Sequence, residues 1–189
     1  DGTLTPQGAK NEALQILCAA VLTEEPVTVS NVPDIVDVRR LIKLIKGLGA
    51  SVDKINDNTY RIEAKDIDLE YSSTSEFQKH ARRIRGSVML MGVMLARFGK
   101  AFIPKPGGDK IGRRRLDTHF RGFRKLGATV EQDRRRRTYY LSAENMKGSF
   151  ILMDEISVTG TANIIMAAVL TKGATTIYNA ACEPYIQQL

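Results

Sequence analysis

The sequence predicts an α/β fold turned inside out. It reads as a barrel-like domain of pseudo-threefold repeats, with the leading helix of each repeat in the middle and the sheets outside. Three observations predict this. The chain repeats itself, which is the first thing to seek in a sequence: Ala19-Ala20-Val21-Leu22-Thr23 returns verbatim as Ala167-Ala168-Val169-Leu170-Thr171, an offset of 148, and half that offset, 74, lands on Val93-Met94-Leu95-Ala96. A second marker agrees, because Leu48-Gly49-Ala50-Ser51-Val52 returns as Leu126-Gly127-Ala128-Thr129-Val130. Third, the segments Ala13 to Leu22, Val88 to Ala96 and Ile164 to Leu170 are apolar almost all round. A helix without a polar face must be covered on every side.

Each repeat reads as an apolar helix, a short strand, a turn, an amphipathic helix, Leu-Gly-Ala and a strand pair. In the first unit Val38, Leu41, Ile42, Ile45 and Leu48 follow the 3.6-residue period, and Lys43 and Lys46 fall on the opposite face. The glycine of Leu-Gly-Ala suits the left-handed conformation that commonly ends a helix. At this spacing the third unit would reach its own Leu-Gly-Ala beyond Leu189. The expectation is therefore one domain over residues 1–189, built of repeats about 74 residues long with the third truncated.

The 43% hydrophobic content is enough for a sizeable core. No apolar run is long enough to cross a bilayer, and the N-terminus has no signal-peptide pattern. Cys18 and Cys182 both lie among apolar neighbours and read as two buried free thiols in a reducing cytoplasm. The net charge of +7 fits nucleic acid, an anionic membrane or phosphate-bearing small molecules. The run Arg134-Arg135-Arg136-Arg137 sits between two strand-like segments and reads as a hairpin turn; a contact to RNA or DNA is the competing reading. No zinc-finger or RNA-recognition signature supports that alternative, and an aromatic content of 6% provides few stacking platforms.

Two features locate the chemistry. The offset between repeats grows from 74 to 78 between Ile103 and Leu126, so four extra residues fall in the stretch Pro104 to Arg115. An insertion in one repeat maps to a loop, often on the binding face. This loop carries Gly107, Gly108, Asp109 and the arginines Arg113, Arg114 and Arg115, forked donors suited to phosphate. In addition, Asn11, Arg85 and Thr159 are equivalent by the repeat, each at the start of a leading helix. Three such starts pointing the same way would gather partial positive charge and unpaired N–H groups. Lys10 and Arg83 add full charges, and Ser157, Thr159 and Thr161 can cap or donate. His80 and His119 lack metal-type partners, and there is no zinc spacing, P-loop or dinucleotide glycine motif. The residues describe an anion cradle that uses no metal or other cofactor, with one acidic group, Asp109.

The segments Gly8-Ala9-Lys10-Asn11-Glu12-Ala13-Leu14, Arg85-Gly86-Ser87, Pro106-Gly107-Gly108-Asp109-Lys110-Ile111-Gly112 and Asn179-Ala180-Ala181-Cys182-Glu183-Pro184 resemble the enolpyruvyl transferases that act on UDP-N-acetylglucosamine. The resemblance runs through the whole chain in order. It implies a two-domain enzyme, each domain made of three βαβαββ units with helices inside, of which this chain would cover most of one and be inactive by itself. It implies transfer of the enolpyruvyl group of phosphoenolpyruvate to the sugar 3-hydroxyl with release of phosphate, at the start of peptidoglycan precursor synthesis. The partners would be those two small molecules, with no nucleic acid and no membrane. The sister transferase acting on shikimate 3-phosphate is the nearest alternative, and a basic nucleic-acid-binding module a more distant one.

By the same resemblance, Lys10 and Asn11 hold phosphoenolpyruvate together with Arg114, and Lys10 takes part in catalysis. Arg85, Arg114, Arg115, Leu116, Asp117 and Thr118 bind the UDP-sugar, as do Glu155, Ile156, Ser157 and Val158. Asp109 stands where many relatives carry a cysteine that donates a proton to C3. The epoxide antibiotic fosfomycin alkylates that cysteine, so an aspartate implies resistance. Two positions depart from the pattern: Glu155 replaces a lysine, and Thr159-Gly160 replaces a glycine-alanine pair.

Overall fold

The computed structural model describes residues 1–107 and 115–189. The loop residues Asp109 and Arg114, expected in the site, lie outside the described residues. The first unit runs α1 (Lys10–Ala19), a 3-10 turn (Ala20–Leu22), β1 (Val27–Val29), α2 (Val36–Gly47), β2 (Ser51–Asn56) and β3 (Thr59–Glu63). A 3-10 turn (Glu70–Ser73) and α3 (Ser75–Ala81) lead to a second 3-10 segment (Arg85–Met89), which passes directly into α4 (Leu90–Phe98). Then come β4 (Lys100–Pro104), α5 (Asp117–Lys125), β5 (Thr129–Asp133) and β6 (Thr138–Ser142). The chain continues through β7 (Phe150–Leu152), α6 (Val158–Ala168), β8 (Thr176–Tyr178) and α7 (Pro184–Gln188).

The strands form separate sheets rather than a closed barrel. β1-β3-β2 and β4-β6-β5 are antiparallel and share one strand order, while β7 and β8 pair in parallel around the α6 crossover. The mixed α/β class is as expected; no closed sheet joins the described strands. Residues 134–137 turn between β5 and β6, and Asp133 caps that turn by accepting from the Arg136 N–H at 2.9 Å.

The helices after which the repeat was read lie deep in the core. Leu90 to Leu95 of α4 are all buried, as are Gly160 to Ile164 of α6 and Leu17 and Cys18 of α1. In α2 the predicted stripe Val38, Leu41, Ile42 and Ile45 is buried with Leu44, and Lys43 and Lys46 are exposed. Both Leu-Gly-Ala markers end helices in the same way. Gly49 and Gly127 hold φ of +104° and +101°. The N–H groups of Ala50 and Ala128 reach back to the carbonyls of Ile45 and Phe123, five residues earlier, completing the motif that left-handed glycine allows.

Two expectations about burial need correction. Val169 and Leu170 are exposed, because α6 ends at Ala168 and the chain leaves the core in a turn. Cys182 is exposed although Cys18 is buried. Ala181 fills the core next to α6, with its N–H bonded to Thr161 Oγ1, and the following side chain points outward on irregular backbone.

Two buried polar side chains lock the units together. The Asn163 amide accepts from the Gly92 N–H at 2.9 Å and donates to the Val88 carbonyl at 3.0 Å. Gly92 and Val88 are four apart and would bond each other in an uninterrupted α-helix. Asn163 bridges the two groups from α6 at the junction between the 3-10 segment and α4. A side chain at position 92 would strike the Asn163 backbone carbonyl, so glycine permits this approach. Arg97, at the end of α4, donates to the carbonyls of Val21 and Ala64 and pairs with Glu24 at 3.2 Å, fastening the second unit to the first.

Replacing Asn163 by leucine keeps similar volume and strands both the Gly92 N–H and the Val88 carbonyl. Each orphaned buried group costs about 1–3 kcal/mol. A clear drop in the urea midpoint of Asn163→Leu, relative to the unaltered protein, is the expected result; an unchanged midpoint contradicts the bridging role.

Candidate functional site

The starts of α1, of the 3-10 segment before α4, and of α6 meet at one cavity of about 500 Å³. Lys10 and Asn11 come from the first, Arg85 and Gly86 from the second, and Ser157, Val158 and Thr159 from the third. Arg115, Glu155 and Ile156 complete its mouth, with Asp37 of α2. The three starts are not equally capped. Ser157 Oγ accepts from the Gly160 N–H at 3.1 Å, whereas Ala9 and Ile84, the cap residues of the other two, make no side-chain cap bond. Uncapped first-turn N–H groups, partial positive helix ends and the cations Lys10, Arg85 and Arg115 define a site for anions.

Lys10 Nζ lies 3.7 Å from Asp37 Oδ2 with both side chains well exposed. Such a pair is weak, so the lysine is free to turn to a ligand. A second cavity of about 360 Å³ shares Arg85 and Arg115 with the first and is walled by Leu116, Asp117, Phe120 and Tyr139. Arg115 Nε sits 2.6 Å from Asp117 Oδ2, a charge-assisted bond that aligns the guanidinium between the two cavities.

Lys10, Asn11, Arg85, Arg115, Glu155, Ile156, Ser157 and Val158 thus line the first cavity, and Leu116 and Asp117 the second. Thr118 is placed differently. It is buried and lines neither cavity; its hydroxyl lies 2.9 Å from Asp154 Oδ1 and 3.3 Å from Glu155 Oε1. Its one hydrogen goes to the nearer carboxylate, Asp154, and Glu155 stays exposed. Arg121 adds a 3.2 Å ion pair to Asp154. Gly107 has a packing role: a side chain there would strike the Arg82 carbonyl.

One feature of the wall escapes a reading of the sequence. His119 of α5 is buried, and its Nε2 lies 3.1 Å from the Thr159 hydroxyl across the α5–α6 interface. A search for metal ligands gives no reason to join residues 119 and 159; the one available signal is that Thr159 aligns with Asn11 and Arg85 in the repeat. Among the described residues no group of His, Cys, Asp and Glu could hold a metal ion, and no helix is long and apolar enough to cross a membrane.

These features define an α/β protein with a cavity lined by cations, and comparison with known proteins assigns its class. Residues 1–189 match the model of the EPSP synthase (3-phosphoshikimate 1-carboxyvinyltransferase) family, and the chain belongs to that family. Within it, the chain is 60% identical over its whole length to a UDP-N-acetylglucosamine 1-carboxyvinyltransferase from Bacteroides thetaiotaomicron and 53% identical to one from Porphyromonas gingivalis. It spans 43% of the length of each. Solved structures share the fold. The enolpyruvyl transferase NikO from Streptomyces tendae superposes with a TM-score of 0.80 at 20% identity, over all of this chain and 43% of its own. An EPSP synthase from Acinetobacter baumannii gives 0.72 at 14% identity, over 99% of this chain and 42% of its own.

Burial, with the positive charge of Arg85 added, pushes His119 down to about 3. The imidazole is neutral in the folded protein but titrates near pH 6.5 once unfolded. Between those values the unfolded chain binds the extra proton. The stability His119 contributes is complete above about pH 6.5 and is lost as the pH falls toward the folded value, at no more than about 1.4 kcal/mol per unit. Urea midpoints measured from pH 7 to pH 5 are expected to fall less steeply in His119→Gln than in the unaltered protein; equal slopes contradict this.

Proposed function

We propose that the protein containing this chain transfers the enolpyruvyl group of phosphoenolpyruvate to the 3-hydroxyl of UDP-N-acetylglucosamine, releasing phosphate, as the first committed step of peptidoglycan precursor synthesis in the cytoplasm. The observation that carries this reading is the meeting of three helix starts with Lys10, Arg85 and Arg115 at one cavity. Both substrates are polyanions, and each bond from a cation to a phosphoryl oxygen contributes about 1.5–3 kcal/mol. The 60% identity to UDP-N-acetylglucosamine 1-carboxyvinyltransferases favours the UDP-sugar over shikimate 3-phosphate as acceptor.

In this reading residues 1–189 are most of one domain, an inside-out barrel-like unit of pseudo-threefold βαβαββ repeats, and the reaction needs a second domain to close over the cleft. Lys10 and Asn11, with Arg114, hold phosphoenolpyruvate. Arg85, Arg114 and Arg115 grip the UDP-sugar, Leu116 and Asp117 shape the second cavity for its base end, and Glu155 to Val158 line the diphosphate. Thr118 supports the UDP-sugar site from behind, its hydroxyl given to Asp154. The sugar 3-hydroxyl gives its proton to water as its oxygen bonds to C2 of phosphoenolpyruvate, and Asp109 gives a proton to C3. The resulting tetrahedral intermediate then returns a C3 proton to the Asp109 carboxylate and expels phosphate, restoring the double bond. Asp109 has to be protonated to act.

The direct test is phosphate release from phosphoenolpyruvate by the full-length protein, offered UDP-N-acetylglucosamine or shikimate 3-phosphate. Release with the UDP-sugar alone is expected, and release only with shikimate 3-phosphate would overturn the assignment. Asp109→Ala is expected to lower turnover about 10²–10⁴-fold, the usual worth of a general acid; near-normal turnover excludes that role. Because a carboxylate is a poor nucleophile toward an epoxide, intact-protein mass is expected to stay unchanged after incubation with fosfomycin. A stable adduct on the peptide containing Asp109 contradicts this.

A further inference from the structure

The structure assigns a specific role to the His119–Thr159 pair: we infer that Thr159 donates its hydroxyl hydrogen to a phosphoryl oxygen of the nucleotide-sugar diphosphate, with His119 as the positioning residue that leaves this hydrogen free. The inference rests on the function proposed above.

Thr159 lies in the first turn of α6 and lines the cavity of Lys10 and Arg85, half-buried, next to the Ser157 cap. A threonine hydroxyl has one hydrogen to give and two lone pairs to receive. What it offers a ligand therefore depends on what His119 does. The imidazole is 1% exposed, its Nε2 is 3.1 Å from Thr159 Oγ1, and its Nδ1 is buried with no partner among the described residues.

Two neutral tautomers are available. With the hydrogen on Nδ1, a buried N–H donor is stranded and Nε2 accepts the only hydrogen Thr159 has. With the hydrogen on Nε2, the ring donates to Thr159 Oγ1 and strands only a lone pair at Nδ1. Orphaned buried N–H groups are the rarer and costlier defect, so the second tautomer is favoured. Burial, with the positive charge of Arg85 nearby, keeps the ring neutral rather than doubly protonated. The Thr159 hydrogen is then directed away from His119, and the cations Lys10, Arg85 and Arg115 on the same cavity make its natural acceptor an anionic oxygen. A glycine at this position could offer a ligand only its backbone N–H; threonine adds a second donor from the same residue.

The test uses the full-length protein and four variants. Thr159→Val removes the hydroxyl at nearly constant shape, and Thr159→Ser keeps it. His119→Phe removes the donor at similar volume, and His119→Gln can restore it from its side-chain amide. Loss of one charge-assisted bond is expected to raise KM for UDP-N-acetylglucosamine about tenfold in Thr159→Val. kcat and KM for phosphoenolpyruvate should stay within about twofold, since the bond is made equally in ground and transition states. Thr159→Ser and His119→Gln should stay close to the unaltered protein. His119→Phe should resemble Thr159→Val, and combining the two should add little, because both break one unit. An unchanged KM in Thr159→Val, or fully additive losses in the double variant, overturns the inference. Calorimetric titration of UDP itself separates the two levels of argument. If the unaltered protein binds UDP but transfers no enolpyruvyl group, the proposed reaction fails, while weakened UDP binding by Thr159→Val still supports the hydroxyl donor and equal binding refutes it.

Discussion

Three buried helices begin at the same place, and much of the molecule follows from that. Helix starts carry partial positive charge, so gathering them with Lys10, Arg85 and Arg115 is electrostatically unfavourable without an anion. Apolar burial along the helices holds them there, with α4 and α6 packed so closely that a glycine is required at position 92. Asn163 adds direction to that packing. Its amide ties the junction between the 3-10 segment and α4 to α6, and so sets where Arg85 lies relative to Ser157 and Thr159.

The sheets pack against these helices. The two antiparallel sheets are each reached through an amphipathic helix that ends in a left-handed glycine, and both share the same strand order. β7 and β8 form a smaller parallel pair whose outward side carries Phe150, Leu152 and Tyr178. Arg97 bonds carbonyls from the 3-10 turn after α1 and from the end of the first strand pair, so the end of the core opposite the cavity is held by hydrogen bonds as well. The cavity is thus built on helix termini backed by a packed core, the kind of support that holds a polar site in register.

Around the site, charge is balanced in layers. Arg115 is aligned by Asp117, and Asp154 is paired with Arg121 and accepts from Thr118. The acids that would oppose an anionic ligand are mostly occupied by protein donors. His119 belongs to the same scheme as a neutral polar group: buried beside Arg85, it stays uncharged and can only exchange hydrogen bonds.

Much of this was legible in the residues alone. The repeat of Ala-Ala-Val-Leu-Thr and of Leu-Gly-Ala located the helices and their ends, because a helix that is apolar all round has only one kind of place to go and because a left-handed turn after a helix favours glycine. The same repeat put Asn11, Arg85 and Thr159 at equivalent helix starts, and so brought the anion site into view. Other features depended on contacts that no local pattern encodes. The sequence could not show that the strands would form separate sheets, that Cys182 would face solvent, that Thr118 would turn to Asp154, or that His119 would meet Thr159. Each depends on how two elements distant in sequence approach each other, and a difference of an ångström or two in helix packing decides whether a polar atom finds a partner, a ligand or nothing.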